Sequence, residues 1–181
     1  MYRFAALLAF LCLAPAAKAA EIQSRDLGDG VHLITVIGTI EAGDEERFRT
    51  LALRHEQAIV ALASEGGALT PALEIGRLIN LRGYVTAVFN SFTCSSACAL
   101  IWTAGTKRFL HAGGRVGFHA SHYESGGRKI EGGIGNALVG RYLTQLGMAE
   151  RTIIFSTMAT PDSITWLTKE NKEQAGISFD V

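Results

Sequence analysis

Two serines stand between two cysteines in Thr93-Cys94-Ser95-Ser96-Ala97-Cys98, where a run of small polar residues opens into the apolar stretch that ends at Gly105. A hydroxyl at the start of a helix sits at the positive end of the helix dipole, and the first helical N–H groups have no partner inside the helix. Ser96 is therefore a candidate nucleophile, with the N–H of Ala97 aimed into the same space. The alternative reading of Ser95 or Ser96 is an ordinary N-cap. Thirty residues earlier, Ser64-Glu65-Gly66-Gly67 follows an apolar run. Two adjacent glycines let backbone N–H groups approach a ligand closely, as donors to a developing oxyanion must, although the same pair also makes a plain tight turn.

A serine needs a base, and a base needs an orienting group. Of the five histidines, His119 ends Gly114-Arg115-Val116-Gly117-Phe118, a strand-like run leading into a polar loop, where a side chain can emerge at a sheet end. His122 is its nearest competitor. His32, His55 and His111 fall in segments that read as strand, charged helix and turn. Asp162, after Pro161, reads as a helix start and is the candidate orienting acid, with an N-cap as its other reading. No pair of histidines has zinc-site spacing, and the set is complete for acyl transfer without metal or cofactor.

The elements around these residues alternate. The segment 30–40 reads as a strand, and 44–58 as a charged helix with Asp44 as its N-cap. The run 58–64 reads as a buried strand, and 70–82 as a helix with Pro71 in its first turn. The segment 84–89 reads as a second buried strand, 98–105 as a buried helix, and 107–121 as a strand pair around Gly113-Gly114. A further helix is read over 134–148. Strand–helix alternation predicts an α/β fold, layered, with a mostly parallel sheet flanked by helices. In such sheets the working loops lie beyond the carboxyl ends of strands, so the loops holding Gly66 and Ser96 are expected to be neighbours.

The chain has 181 residues, 48% hydrophobic and 19% charged, with zero formal charge and no basic stripe, which argues against nucleic acid as a partner. Residues 1–19 read as a signal peptide, with Arg3, an apolar core and the cleavage pattern Ala17-Lys18-Ala19, too short to serve as a stable membrane anchor. Its removal leaves one domain, 20–181. The expected location is secreted or periplasmic. Loss of Arg3 and Lys18 leaves 15 basic residues against 17 acidic, a formal charge of −2. Cys12 leaves too, so Cys94 and Cys98 are the two cysteines of the mature chain, expected to pair in an oxidising compartment, with two buried thiols as the alternative.

Taken in order, these segments resemble the Clp protease proteolytic subunit of the Clp/crotonase superfamily over nearly the whole mature chain. "VALASEGGALTPALEIGRLI" is similar to that family's oxyanion loop and helix, "CSSACALIWTAGTKR" to its nucleophile helix, and "VGFHAS" to the segment carrying its base. "ATPDSITWLTKENKEQAGI" resembles its closing segment. The resemblance implies a Ser96–His119–Asp162 triad, with Gly66, Gly67 and the N–H of Ala97 as oxyanion donors. Glu65 stands where that family has proline, and "ESGGRKIEGG" (124–133) replaces the helical handle on which its rings are built. Ring assembly is therefore not expected, while a simpler homo-oligomer stays open. Exported signal peptide peptidases of the same superfamily use a Ser/Lys pair, and Lys129 is the candidate for that role, ranked below His119.

The resulting expectation is an exported serine hydrolase, an ATP-independent peptidase acting on peptides or unfolded segments. The alternative is a catalytically inactive exported domain that binds a peptide or protein partner in the same cleft. A crotonase-like acyl-thioester enzyme would use similar oxyanion donors, but no cofactor groove is legible.

Overall fold

The structure, a computed structural model, describes residues 19–181, so the expected signal peptide lies, but for Ala19, outside the described residues. The expected α/β layering is present. The main sheet has the order β1-β2-β3-β4-β6, from β1 (Glu21–Asp26), β2 (Val31–Ile37), β3 (Gln57–Ala63), β4 (Val85–Val88) and β6 (Arg108–Leu110). All its pairings are parallel except β1 with β2. Ile34, Val36, Val60, Leu62 and Val88 are fully buried, as strands covered on both faces require.

A smaller sheet ends at Ser96 and His119, which follow two of its strands. β5 (Thr93–Ser95) pairs in parallel with β7 (Arg115–Phe118), and β10 (Thr165–Trp166) pairs antiparallel on the far side of β7. The strand pair expected over 107–121 is thus corrected: β6 and β7 both form, but they join different sheets. The turn around Gly113, at φ 84°, carries the chain from one sheet to the other, with Gly114 N–H donating to His111 O at 2.8 Å. The polar segment 21–26 is also a strand, an exposed edge.

The helices are α1 (Asp44–Ala52), α2 (Leu69–Arg82), α3 (Ala97–Thr103), α4 (Gly133–Gln145), α5 (Glu150–Thr157) and the short α6 (Lys172–Ala175). Asp44 is not the N-cap of α1; Gly43 is, at φ 95°. The Asp44 carboxylate is fully buried, where it pairs with Arg47 and accepts N–H bonds from Glu41 at 2.8 Å and Ala20 at 3.3 Å. It ties Ala20, just before β1, to the first helix. α3 is buried along its whole length. It is locked to α4 by Tyr142, whose hydroxyl donates to Leu100 O at 2.9 Å and whose phenol burial pushes upward in pKa. Gly76 on α2 makes room for that ring: a Cβ there would lie 2.8 Å from Tyr142 Cζ.

The charged, glycine-containing segment 124–133, which stands in place of a helical handle, is largely a β-hairpin. β8 (His122–Ser125) and β9 (Arg128–Glu131) are joined by Gly126 and Gly127, both at positive φ (58° and 72°), as a two-residue hairpin turn demands. No helix among the described residues is long and apolar enough to cross a membrane.

Candidate active site

Ser96 sits at the junction between β5 and α3 with φ 57° and ψ −128°, a conformation costly for any residue with a Cβ. It acts as N-cap by position, but its hydroxyl makes no capping bond. Three contacts hold the backbone there. Ser96 N–H donates to Gly117 O of β7 at 2.9 Å, Ser95 N–H donates to Ser64 O at 3.0 Å, and Ser64 N–H donates to Thr93 O at 2.8 Å. The Gly66 and Ser96 loops are therefore neighbours, stitched by backbone bonds and by Ser95 Oγ donating to Glu65 O at 3.3 Å. The Cys94–Cys98 disulfide spans the junction, with Cα atoms 5.2 Å apart and both residues fully buried.

The glycines have different duties. A Cβ on Gly66 would lie 2.7 Å from Ser96 Cβ and 3.0 Å from Ala97 N, so only glycine permits this approach. The Gly66 N–H is engaged by Ser64 Oγ at 3.0 Å, and its carbonyl accepts from Ile40 N–H at 2.8 Å. Gly67 lines the cavity that holds Ser96 and Ala97; its φ is 137°.

That cavity is about 220 Å³ and is shared by Ser96 and His119. Both are half-buried at its open side, whereas Leu100, Phe118, Val139 and Ser156 are buried. His119 follows β7, and its Nδ1 lies 2.8 Å from Ala120 O. A carbonyl can only accept, so in the neutral imidazole this contact puts the proton on Nδ1 and the lone pair on Nε2. His122 also lines the cavity, its ring 5.4 Å from that of His119. Burial first, then the charges of His119 and Lys129, hold the His122 imidazole below its usual pKa.

Asp162 is not at a helix start. It lies in an exposed turn that leads into β10, and among the described residues no hydrogen bond joins it to His119. It lines a second cavity of about 410 Å³ on the other side of His119, with Glu65, Arg115 and Lys129. Trp166 explains this placement. Its ring covers Gly117, where a Cβ would lie 2.6 Å from Trp166 Cε3, and it stacks with the Arg115 guanidinium at 3.7 Å. Lys129 Nζ donates to Pro161 O at 3.4 Å and so faces this second cavity. Glu65 is exposed and lines the second cavity rather than the one holding Ser96.

Sequence reasoning missed Ser64, the Ala120 carbonyl and Ser156. A serine two residues before a glycine is a local turn signal for Ser64; the other two carry none.

No family model matches the sequence, and no curated protein matches it. Solved structures do. A serine-to-alanine variant of the 1510-N membrane-bound stomatin-specific protease superposes with a TM-score of 0.61 at 17% identity, over 82% of this chain and 77% of that one. The ClpP protease catalytic domain from Plasmodium falciparum gives 0.57 at 17%, over 82% of each chain. ClpP1 from Listeria monocytogenes gives 0.56 at 20%, over 80% and 88%. At these identities the likeness is one of architecture, and the chain has the ClpP/crotonase-like fold.

Proposed function

We propose that the protein is an exported serine peptidase that works without ATP. The observation that carries this is Ser96, held at a strained strand-to-helix junction in one cavity with His119, its hydroxyl uncommitted to capping. Strain of this kind persists where the surroundings over-determine it, and here they are backbone bonds from two loops and a disulfide. The fold neighbours are proteases, which agrees with the assignment.

In the proposed reaction His119 Nε2 takes the Ser96 hydroxyl proton as Oγ bonds to the scissile carbonyl carbon. The carbonyl π pair moves onto oxygen, which accepts from the N–H groups of Gly67 and Ala97. Gly66 shapes the loop, since its own N–H serves Ser64. Collapse of the intermediate breaks the C–N bond, and the leaving amine takes the proton from His119. Water then attacks the acyl-enzyme by the same route, giving the acid and restoring Ser96. The Ala120 carbonyl holds the His119 tautomer, and the Asp162 carboxylate supplies field rather than a direct bond. Lys129, the alternative base, is placed with the second cavity; a lysine-to-alanine variant of the stomatin-specific protease has been captured with a substrate peptide, so Lys129 is a necessary control.

A fluorophosphonate probe tests the reading. Mature protein should be labelled at Ser96, and Ser96→Ala should abolish labelling while the protein stays folded. Labelling lost in Lys129→Ala but kept in His119→Ala would replace the base. Folded protein that resists the probe would leave the non-catalytic peptide-binding domain as the better reading.

A further inference from the structure

One buried polar side-chain group in the Ser96 cavity has no partner among the described residues. Ser156 is 2% exposed, lines the cavity, and its Oγ makes no hydrogen bond. Four other hydroxyls on helices behave differently: Thr50, Thr103, Thr144 and Thr157 each fold back onto the carbonyl four residues earlier, at 3.0, 2.8, 2.9 and 2.9 Å. Ser156 neighbours Thr157 on α5 and has a carbonyl at the same offset, yet its hydroxyl is not used that way. A buried hydroxyl without a partner is costly, so a ligand that supplies one gains what the empty site forgoes.

The burial gradient says where such a ligand reaches. Ser96 and His119 are partly exposed, while Leu100, Phe118, Val139 and Ser156 are at most 5% exposed and form the inner wall with Leu69. An acyl group attached to Ser96 Oγ therefore has space for a side chain running between apolar walls toward one hydroxyl. A purely apolar side chain would fill the walls and leave the hydroxyl bare. A charged one would lose its hydration with a single neutral partner.

We propose that Ser156 is a specificity-determining residue, and that the cavity selects an acyl-side residue with an apolar stem and a neutral hydrogen-bonding tip, glutamine above all. This rests on the peptidase reading of Ser96. A site built to hydrogen-bond a substrate discriminates strongly against an analogue of the same shape that lacks the group.

The experiment compares otherwise identical fluorogenic peptides with glutamine, methionine or leucine before the scissile bond. Methionine matches the length of glutamine without its amide. The expected result is a kcat/KM at least ~10-fold higher for glutamine than for methionine. Ser156→Ala should erase or invert that ratio, Ser156→Thr should restore part of it, and Ser156→Ala should not lower Tm, since the hydroxyl it removes is unsatisfied. Calorimetric binding of peptides ending in glutamine or methionine to Ser96→Ala protein gives a second measure independent of turnover. If methionine or leucine peptides bind and turn over as well as glutamine peptides, the inference is overturned while the peptidase reading stands. If nothing is hydrolysed and the fluorophosphonate fails, the peptidase reading is lost, and the binding comparison alone decides whether Ser156 selects an amide.

Discussion

His119 Nδ1 and the carbonyl oxygen of Ala120 are 2.8 Å apart, and that contact assigns the imidazole tautomer without help from a carboxylate. In a Ser-His-Asp arrangement the acid both orients the ring and stabilises the imidazolium. In the proposed mechanism the first task falls to a backbone atom of the next residue. Asp162, in an exposed turn, can contribute only at a distance.

The consequence is an asymmetry between two substitutions. His119→Ala should slow fluorophosphonate labelling of Ser96 by roughly 10²–10⁴-fold, the usual contribution of a positioned base. Asp162→Asn should slow it by less than about tenfold, because the Nδ1 bond to Ala120 survives. Equal losses in second-order labelling rate would mean that Asp162 moves onto His119 in the working enzyme.

Gly66→Ala tests the closeness of the two loops. Its Cβ would come 2.7 Å from Ser96 Cβ and 2.9 Å from Ser95 O, at a φ of 105° that alanine avoids. The loop must shift, and with it the neighbouring Gly67. Labelling of Ser96 should be nearly lost, with a stability decrease of about 1–3 kcal/mol by denaturant unfolding. Full labelling in Gly66→Ala would show that the loop tolerates displacement and that its N–H groups are not oxyanion donors.

Much of this architecture was legible because burial leaves a mark on residue type. β3 and α3 are continuous apolar runs, and α2 has helical periodicity bounded by Pro71 and Gly83, so their existence follows from pattern alone. β1 was not legible, since Glu-Ile-Gln-Ser-Arg-Asp lies exposed at a sheet edge and buries too little to show alternation. The partner of β7 could not be read either. Gly113-Gly114 looks like a hairpin turn, but pairing is a long-range choice, made here by β5 on one side and by Trp166 packing over Gly117 on the other. That choice also turned Pro161-Asp162 from a helix start into a turn before β10. At the site, side chains whose types could do chemistry can be nominated by type and order. The Ala120 carbonyl could not, because every residue has one, and neither could Ser156, whose interest lies in lacking a partner.

The disulfide should matter to the site more than to the fold. Cys94 and Cys98 are four residues apart, so the closed loop is short and constrains the unfolded chain least. They flank Ser96, however, and hold the end of β5 to the first turn of α3. Free-thiol counting on denatured, unreduced mature protein should find none. Reduction under native conditions should lower the Ser96 labelling rate several-fold while Tm falls modestly. A large fall in Tm with labelling unchanged among molecules still folded would reverse that order of importance.

The last expectation concerns acid, and it arises far from the cleft. The rings of His32 and His55 stack with centroids 3.7 Å apart, and His55 Nε2 lies 3.2 Å from Ser24 Oγ, which joins the segment after α1 to β1 and β2. Desolvation first, then the charges of His32 and Arg54, hold His55 below the ordinary imidazole pKa, against a smaller opposing effect of Asp26. The folded value thus lies under the unfolded value of ~6.5, and as pH falls through that point the unfolded chain takes up the proton before the folded one. Stability is therefore full above about pH 6.5 and declines below it, until the folded value is reached, where the decline ends. His122 adds a shift of the same sign from inside the cleft. His55→Gln keeps a hydrogen-bonding side chain near Ser24 and removes one titrating partner of the stack. Between about pH 7.5 and 5.5 its Tm should fall less than that of the unaltered protein. Parallel Tm curves for the two proteins would show that the stacked pair does not govern acid sensitivity.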